Sequence, residues 1–466
     1  MFRQIPKSVL ETNPFPAVPS RDANAIMALM FQLDISQRLP VAEFKCLQLK
    51  QLRALLVHAF ISVPHYQVQF RSLGIDQLPD DLDENFLTKL PKLTRQTVLV
   101  SEASLHSTAT PKAHGKVHEL ETSGSSGEPV RVLGTTLTSF YWHALGMRDH
   151  IWHERDFSGR LAAIRRGPRN TGMAPDGDTA KGWGSITDIV FKSGAAYRLN
   201  VATPLAEQVV WMQKRSAEYL LCFPSNVMAL ADYSIEKGLQ FPDLKQVRTI
   251  GETVTRALRE RVREAWGVAV TDIYSCEEAG YIAIQCPDHD HYHVQSENVL
   301  VEIVNEEGDA CGIGECGRVL LTTLQNFAMP LIRYELGDMA EWGEPCDCGR
   351  TLPVIKKIYG RTRSRMILPD GRSEFPYTGE DGQAFRITGQ KPRQLQYIQK
   401  SLETIELKLV IDTPLTLEIE ARYAKIIQDN LGHPFDIIFS YPDHIPKQAN
   451  GKFELFICEI QNSSAS

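Results

Sequence analysis

The chain has 466 residues, which is too long for one compact core and predicts two or three domains, or one large domain with an appendage. Hydrophobic residues make up 43% and charged residues 23%, a balance typical of a folded globular protein. The net charge is -7 and no long Lys or Arg run occurs, which argues against a nucleic-acid partner, because such binding requires a basic surface.

The amino terminus has no charged segment followed by a long apolar run and a small-residue cleavage site. Its best apolar run, at 25–31, is too short to span a bilayer. We therefore expect a buried helix face, a cytoplasmic protein and no membrane partner. Further on, Leu52, Leu56 and Ala59 recur at helical spacing and predict a scaffold helix. This helix should end before Pro64, because proline disrupts a helix interior.

The middle of the chain alternates β-prone segments with helical patterns. The β-prone segments lie at 161–166, 219–223, 246–250 and 270–274, and a helical pattern occupies 255–266. This alternation predicts an α/β fold. From Val299 to Leu324, two apolar segments flank a glycine-rich turn, which predicts an antiparallel β subdomain.

The last hundred or so residues have the pattern of a separate small unit. Two β-prone segments, at 405–411 and 435–441, flank a helical pattern at 416–432. We predict a large multi-subdomain N-terminal domain over 1–360 and a small α+β C-terminal domain over 361–466.

The strongest local signal is the sequence ETSGSSGEPVRV at 121–132. Two glycines and four hydroxyl residues fill the six positions from Thr122 to Gly127. Such a loop can direct backbone N–H groups and hydroxyls towards a polyphosphate. It is not a Walker A loop, because GxxxxGK[ST] is absent and Glu128 and Pro129 follow the second glycine. Taken alone, the segment fits a flexible surface loop better.

Further motifs follow this loop in order along the chain. They are IGETV (250–254), YSCEEAG (274–280), PLIRYELGD (330–338), GRTRSRMILPDG (360–371) and IPKQANGK (445–452). With them the chain resembles the adenylate-forming superfamily, within the phenylacetate-CoA ligase branch that also holds coenzyme F390 synthetase-like and capsule-biosynthesis CapK-like proteins. The resemblance covers nearly the whole chain. It implies an adenylation domain of the superfamily type followed by a mobile lid domain.

The resemblance implies a set of ATP- and AMP-binding residues. They are Ser123, Gly124, Ser125, Ser126, Gly127, Gly251, Glu252, Tyr274, Asp338 and Arg361. The first five form the phosphate loop, Tyr274 stacks on adenine and Asp338 accepts both ribose hydroxyls with its two oxygens. Considered singly, Tyr274 could be a core aromatic residue, Asp338 a turn residue and Arg361 a solvated charge.

The resemblance also implies the catalytic residues Lys452 and Glu278. Lys452 would neutralise charge that develops between the α-phosphate and the attacking carboxylate, and Glu278 would help to hold Mg²⁺. On its own, a lysine after Asn-Gly is a turn residue. The chain departs from the family pattern at Glu277, where a threonine is usual, so the choice of Glu278 over Glu277 stays open. It also departs at the hinge, where 363–365 provide no aspartate.

A second group of residues has the composition of a metal site. The four residues are Cys286, His293, Cys346 and Cys348. Three thiolates and an imidazole suit a closed structural Zn²⁺ site. We choose His293 because its spacing from Cys286 resembles that in relatives with the same CxCGR element, which leaves His289 and His291 to solvent. The alternative is a set of free thiols and surface histidines, because Cys-x-Cys is tighter than the usual spacing.

Together, these features predict an enzyme that activates a carboxylic acid with ATP, releases pyrophosphate and transfers the acyl group to coenzyme A. The acceptor could instead be a carrier-protein thiol or an amine. A non-catalytic nucleotide-binding module is the alternative from another class, and the presence of Lys452, Asp338 and the loop argues against it. Whether the chain forms a homodimer is left open by the sequence.

The identity of the acid is also left open. We expect the segment 159–204 to line the acid pocket. Its residues Trp183, Phe191 and Tyr197 lie beside Arg165 and Arg166. This mixture fits aromatic or mid-sized acids without selecting one.

Overall fold

The computed structural model describes residues 4–80, 82–83, 85–121, 130–168, 171–361, 366–374, 376, 392–446 and 453–460. Within these ranges the helices, in chain order, are α1 Arg21–Ser36, α2 Val41–Ser62, α3 Pro64–Ser72, α4 Asn85–Thr88, α5 Arg95–Leu105, α6 Thr136–Trp152, α7 Ser185–Asp188, α8 Leu205–Arg215, α9 Pro224–Lys237, α10 Arg256–Trp266 and α11 Leu417–Leu431.

The strands of the described ranges form four sheets. A hairpin pairs β1 Val117–Glu121 with β2 Arg131–Thr135. The large sheet contains β3 Leu161–Arg165, β4 Asp178–Ala180, β5 Ala196–Asn200, β6 Tyr219–Cys222, β7 Gln246–Ile250, β8 Ala269–Cys276, β9 Gly280–Gln285, β10 Tyr292–Val294, β11 Val299–Val304, β12 Cys316–Thr323, β13 Tyr334–Trp342 and β14 Val354–Arg361. The two small sheets pair β15 Met366–Ile367 with β16 Ser373–Glu374, and combine β17 Gln394–Gln399, β18 Thr404–Val410, β19 Asp436–Ser440 and β20 Phe456–Cys458.

The large sheet has twelve strands in the order β11-β12-β13-β14-β10-β9-β8-β7-β6-β3-β5-β4. Its β8, β7, β6, β3 and β5 are parallel neighbours, as α/β units require. Helices α8, α9 and α10 pack on one core, and α1 and α6 pack on another. The α/β prediction is confirmed, and β3, β6, β7 and β8 lie within two residues of their predicted positions.

Helix α10 illustrates how the sequence sets these elements. The Thr255 side chain caps its start by accepting a hydrogen bond from Leu258 N at 3.1 Å. Gly267 ends it with a φ of 69°, in the left-handed region that favours glycine. Between these caps, Leu258, Val262 and Trp266 recur at helical spacing and are buried. The helix therefore buries one apolar stripe against the sheet.

The predicted antiparallel strands are present as a continuation of the large sheet. Strands β11 and β12 pair antiparallel, with Val301 opposite Leu321, and β13 and β14 follow them. Their core packs against α2, α3 and α5, because this side of the sheet has an apolar face of its own. The glycine-rich turn thus joins two neighbouring strands, as the sequence predicts.

The carboxy-terminal part of the chain builds a separate core. Its four strands lie in the order β19-β18-β17-β20, and α11 packs against them through residues such as Tyr423 and Ile427. Met366 and Leu368 belong to this core, so it begins close after the large sheet ends at Arg361. The predicted small α+β unit therefore has its own hydrophobic interior, while Arg361 itself lies on the large sheet.

The apolar run at 25–31 lies on α1, where it is divided between the buried face and the outer face. Ile26 and Met30 of α1 are buried, but Phe31 lies on the outer face because it is one residue further round the helix. Helix α2 ends at Ser62, and Pro64 starts the next helix at a first-turn position where proline is tolerated. No helix of the described ranges is long and apolar enough to cross a membrane.

Candidate functional site

The first pair of the site joins strands that are far apart in the sheet. Tyr274 lies near the end of β8 and Asp338 lies on β13, and the tyrosine hydroxyl donates a hydrogen bond to Asp338 Oδ2 at 2.8 Å. Three strands separate β8 from β13 in the sheet order, which would place them about 19 Å apart in a flat sheet. The contact therefore requires the sheet to curl around short β10.

Arg361 completes this pair from the neighbouring strand. It is the last residue of β14 and lies directly opposite Asp338 in the strand register. Arg361 Nε is 3.1 Å from Asp338 Oδ1, and Arg361 Nη1 donates to the Leu336 carbonyl at 2.6 Å. The negative charge of Asp338 raises the pKa of Arg361, so the guanidinium stays ionised. Both oxygens of Asp338 thus have a partner, and the carboxylate is held in one orientation.

Burial, and then the charge of Asp338, raise the pKa of Tyr274 well above its ordinary value. The phenol therefore stays protonated and acts as a donor. Gly337, next to Asp338, has a φ of 82°, and a Cβ added there would lie 3.3 Å from Arg361 Nη1. Glycine at this position gives the arginine room to lie along the turn.

Glu278 lies beside this group, in the connection between β8 and β9. Its Oε1 is 3.4 Å from the hydroxyl of Tyr334, a residue of the PLIRYELGD motif. Glu277 is exposed, whereas Glu278 is half-buried and faces the interior. Burial, and then the charge of Glu278, raise the pKa of Cys276 well above its ordinary value, so this thiol is neutral. We call Tyr274, Glu278, Asp338 and Arg361 the Asp338 cluster.

The IGETV motif follows β7 and leads to a different set of contacts. Gly251 has a φ of 77°, which turns the chain after the strand. The Glu252 carboxylate accepts hydrogen bonds from Ser225 N at 2.8 Å and from Ser225 Oγ at 3.1 Å. Its Oε1 also accepts a hydrogen bond from Phe453 N at 2.8 Å. Glu252 therefore contacts both the start of α9 and the carboxy-terminal unit.

Three of the predicted segments fall outside the described residues. The phosphate loop, with Ser123, Gly124, Ser125, Ser126 and Gly127, is one of them, and Lys452 and the hinge positions 363–365 are the others. Glu121 and Arg131, which flank the loop, pair with each other at the end of the β1–β2 hairpin. Phe453, which follows Lys452, has the contact with Glu252 described above.

The predicted metal ligands come together in space. Ligand atoms of Cys286, His293, Cys346 and Cys348 all lie within 4.8 Å of one another. Cys286 Sγ is 3.9 Å from Cys346 Sγ, and Cys348 Sγ is 3.3 Å from His293 Nε2. A tetrahedral zinc ion at its usual bond lengths sets S–S distances of about 3.8 Å and S–N distances of about 3.5 Å. The donor set and its spacing fit Zn²⁺.

Of the three nearby histidines, His293 is the one with a ring nitrogen within 4.8 Å of all three thiol sulfurs. It is fully buried, and burial lowers its pKa to about 4, so the imidazole is neutral. Its Nδ1 faces the Leu352 carbonyl at 3.4 Å, which leaves Nε2 directed at Cys348. His289 instead pairs with Asp347 at 2.7 Å on the surface, and His291 stacks on His289.

The aromatic residues expected to line an acid pocket do not converge. Trp183 and Phe191 both pack against Phe157, in the core beneath α1 and α6. Tyr197 lies on the opposite face of the sheet, where Arg215 of α8 covers its ring at 5.0 Å. Trp183 and Phe191 flank α7, whereas Tyr197 lies on β5, so the aromatic residues of this segment are divided between two cores.

Sequence reasoning also missed a buried charged group behind this region. Asp149 of α6 lies 2.8 Å from both Arg155 and Arg248, and Arg248 Nη2 also donates to the Tyr281 hydroxyl at 3.0 Å. Burial opposes ionisation of Asp149, but the two arginines outweigh it and hold its pKa below the ordinary value. Arg248 belongs to the β-prone segment at 246–250, so a charge inside a buried strand was the available signal.

Comparison with known proteins agrees with this architecture. Residues 383–459 match the family model described as the CapK C-terminal domain. The phenylacetate-coenzyme A ligase of Thermus thermophilus is 26% identical, over 91% of this chain and 98% of that protein. The corresponding ligase of Escherichia coli is also 26% identical, over 84% of this chain and 88% of that protein.

Among solved structures, a 2-hydroxyisobutyryl-CoA ligase in its postadenylation state, bound to an acyl-AMP, aligns with a TM-score of 0.71. The two chains are 18% identical, and the alignment covers 91% of each. The same ligase in its thioesterification state aligns with a TM-score of 0.57. By its carboxy-terminal segment and its relatives, the chain is similar to CapK-like proteins and to the phenylacetate-coenzyme A ligases, and it has the fold of an acyl-CoA ligase.

Proposed function

We propose that this protein activates a carboxylic acid with ATP and then transfers the acyl group to coenzyme A. The observation that carries the proposal is the Asp338 cluster, in which motif residues from three strands and a loop meet around one fixed carboxylate. Relatives that align over nearly the whole chain are ligases of this kind. The cluster has its proposed role in the first of the two steps.

In the first step a carboxylate oxygen of the acid attacks the α-phosphorus of ATP, and the bond to pyrophosphate breaks. Asp338 accepts the ribose hydroxyls through lone pairs that Tyr274 and Arg361 leave free, and Arg361 holds the carboxylate in one orientation. The ring of Tyr274 borders the adenine. These residues act by positioning the nucleotide, which lowers the entropic part of the barrier.

Glu278 is the residue we propose to help hold Mg²⁺. A half-buried carboxylate that accepts a hydrogen bond from the Tyr334 hydroxyl suits a metal that keeps water and phosphate oxygens as its other ligands. When bound, the ion would neutralise phosphate charge. The exposed Glu277 is the weaker candidate.

We further propose that the chain divides into an adenylation domain, 1–360, and a mobile lid domain, 361–466. The separate core of the carboxy-terminal unit supports this division. Lys452 would enter the site with the lid and neutralise charge at the α-phosphate during the first step. In the second step the coenzyme A sulfur attacks the carbonyl carbon, AMP leaves with the shared oxygen, and the thiol proton is released.

We call Cys286, His293, Cys346 and Cys348 the thiol cluster, and we propose that it has a structural role with Zn²⁺. Its donor set leaves no position open for a substrate, and its ligands come from segments at the two ends of the antiparallel region. The Leu352 carbonyl would fix the tautomer of His293. The site would therefore join β10 to the segment before β14, away from the acyl transfer.

The proposal is tested by pyrophosphate release with a panel of carboxylic acids, with and without coenzyme A. We expect release that depends on a particular acid, and an acyl-CoA product when coenzyme A is present. Release without any thioester would indicate a carrier-protein thiol or an amine as acceptor. ATP binding without pyrophosphate release for every acid would favour the non-catalytic nucleotide-binding module. Heat-denatured protein and Asp338→Asn serve as controls.

A further inference from the structure

One carboxylate connects the two units of the chain. Glu252 Oε1 accepts a hydrogen bond from Phe453 N at 2.8 Å. Glu252 directly follows the turn after β7, and Phe453 lies three residues before Phe456, which starts β20 and belongs to the core of the carboxy-terminal unit. The contact is therefore a hydrogen bond between the large sheet and the carboxy-terminal unit.

On the side of the large sheet, two hydrogen bonds orient the Glu252 carboxylate. Ser225 donates to it twice, from N at 2.8 Å and from Oγ at 3.1 Å. Ser225 lies in the first turn of α9, where the helix dipole favours a negative charge. The next residue, Thr253, lies beside Gly360, since a Cβ added to Gly360 would be 3.0 Å from Thr253 Oγ1. The same motif thus contacts the residue that precedes Arg361 of the Asp338 cluster.

On the other side, the segment after Phe453 is fixed to the small sheet. Gln396 Nε2 donates to the Glu454 carbonyl at 2.9 Å, and Tyr397 N donates to the Leu455 carbonyl at 2.8 Å. Phe456 then pairs with Tyr397 in the sheet. A restraint on Phe453 therefore restrains the orientation of the whole carboxy-terminal unit. Phe453 also follows Lys452 directly, at the fixed spacing of about 3.8 Å between neighbouring Cα atoms.

We infer that Glu252 is a positioning residue that holds the carboxy-terminal unit in the orientation used for adenylation, by accepting the Phe453 N–H. This inference rests on the proposed function and assigns Glu252 to the adenylation half-reaction. Release of the hydrogen bond would free the unit for the second half-reaction.

The test compares Glu252→Ala with the parent in three measurements on the full chain. Acyl-AMP formation in a single turnover should slow about 10- to 100-fold, because a charge-assisted hydrogen bond no longer favours one orientation. Transfer from supplied acyl-AMP to coenzyme A should change by less than about threefold, since that step does not use this contact. Backbone hydrogen exchange should rise in the peptide that contains Phe453, and remain unchanged in β18.

Two further variants separate the contact from a general loss of structure. Glu252→Gln keeps the shape of the side chain and one acceptor oxygen, and it should recover part of the adenylation rate. Phe453→Pro removes the N–H donor and leaves Glu252 intact. Its effect should match that of Glu252→Ala, and the double variant should add little, as expected of two partners in one interaction. Glu236→Ala, an exposed carboxylate of α9, is the matched control.

Equal adenylation rates in Glu252→Ala and the parent, or unchanged exchange around Phe453, would overturn the inference. So would a loss of ATP affinity large enough to explain the whole effect, because Glu252 would then be a nucleotide ligand. If the parent releases no pyrophosphate with any acid, the proposed function fails. Hydrogen exchange then still decides the inference, since raised exchange supports the restraint and unchanged exchange contradicts it.

Discussion

Asp338 and Arg361 lie directly opposite each other in the β13–β14 register, and their side chains meet at 3.1 Å between Oδ1 and Nε. The pairing is set by the backbone, because opposite residues of antiparallel strands present their side chains on the same face. Tyr274 then reaches the other oxygen from a distant strand. The carboxylate is therefore held in one orientation by protein contacts alone, which would reduce the cost of binding the proposed nucleotide.

The first prediction concerns this orientation. Asp338→Asn should weaken ATP binding by about tenfold or more, because it removes the charge that pairs with Arg361 and one of the two acceptor oxygens. Isothermal titration with ATP in the absence of acid measures the effect. Asp370→Asn, at an exposed carboxylate paired with Arg372, is the matched control and should bind ATP as the parent does. Equal affinity in Asp338→Asn and the parent would remove Asp338 from the nucleotide site.

The second prediction concerns Lys452. Lys452→Ala should lower the single-turnover rate of acyl-AMP formation by roughly a thousandfold, because the ammonium neutralises charge that develops in the transition state. ATP affinity should stay within a few fold of the parent. Lys447→Ala, a change in the same segment, serves as the control. An unchanged single-turnover rate in Lys452→Ala would contradict the assignment.

The fold could be predicted well where burial pattern and turn chemistry agree. Strand β6 is a short buried run, β7 alternates buried with half-buried residues, and α10 has a polar cap, an apolar stripe and a terminal glycine. The sheet order could not be predicted, because the pairing of β14 with both β13 and short β10 depends on long-range contacts. The curl that joins Tyr274 to Asp338 follows from that order.

Part of the candidate site could likewise be predicted from the sequence, and part of it could not. Motif residues such as Asp338 and His293 could be named as candidates because their motifs resemble those of a family. The structure places Arg361 beside Asp338 and three cysteines beside His293. The contact of Glu252 with Phe453 could not be assigned, because its donor is a backbone N–H that has no sequence signature. The division of the aromatic residues of 159–204 between two cores could not be predicted either, because it depends on which face of the sheet each residue packs against.

The third prediction concerns the thiol cluster. Purified protein should contain about one zinc per chain, and Cys348→Ser should lose it and unfold at a lower temperature, because metal binding contributes to the stability of the fold. Metal analysis and thermal unfolding measure the two effects. Cys316→Ser changes an exposed thiol outside the cluster and should keep the zinc. Soluble Cys348→Ser should still form acyl-AMP.

The absence of zinc from parent protein that was prepared without chelators would contradict the site. A zinc-free variant with unchanged stability and no adenylation would contradict the structural role instead, because the metal would then act on the chemistry.

The fourth prediction concerns the pH dependence of stability and rests on Asp272, a buried residue of β8. Burial raises its pKa from 3.8 to about 6, although Thr249 and Tyr292 both donate hydrogen bonds to its carboxylate. Between these two pH values the folded state binds more protons than the unfolded state. The contribution of Asp272 to stability is therefore complete below about pH 4 and is lost as the pH rises through about 6.

Asp272→Asn removes this titration while keeping the shape of the side chain, and Thr249 Oγ1, which also donates to the Thr271 carbonyl at 3.1 Å, can accept from the new amide. The free energy of unfolding of the parent, minus that of Asp272→Asn, should fall by about 3 kcal/mol between pH 4 and pH 7. Subtracting the two proteins cancels the opposite trend of Asp149, whose pKa is lowered. Urea unfolding at several pH values measures the difference. A difference that stays constant or rises with pH would show that Asp272 is ionised in the folded protein at pH 4, and that its hydrogen bonds outweigh its burial.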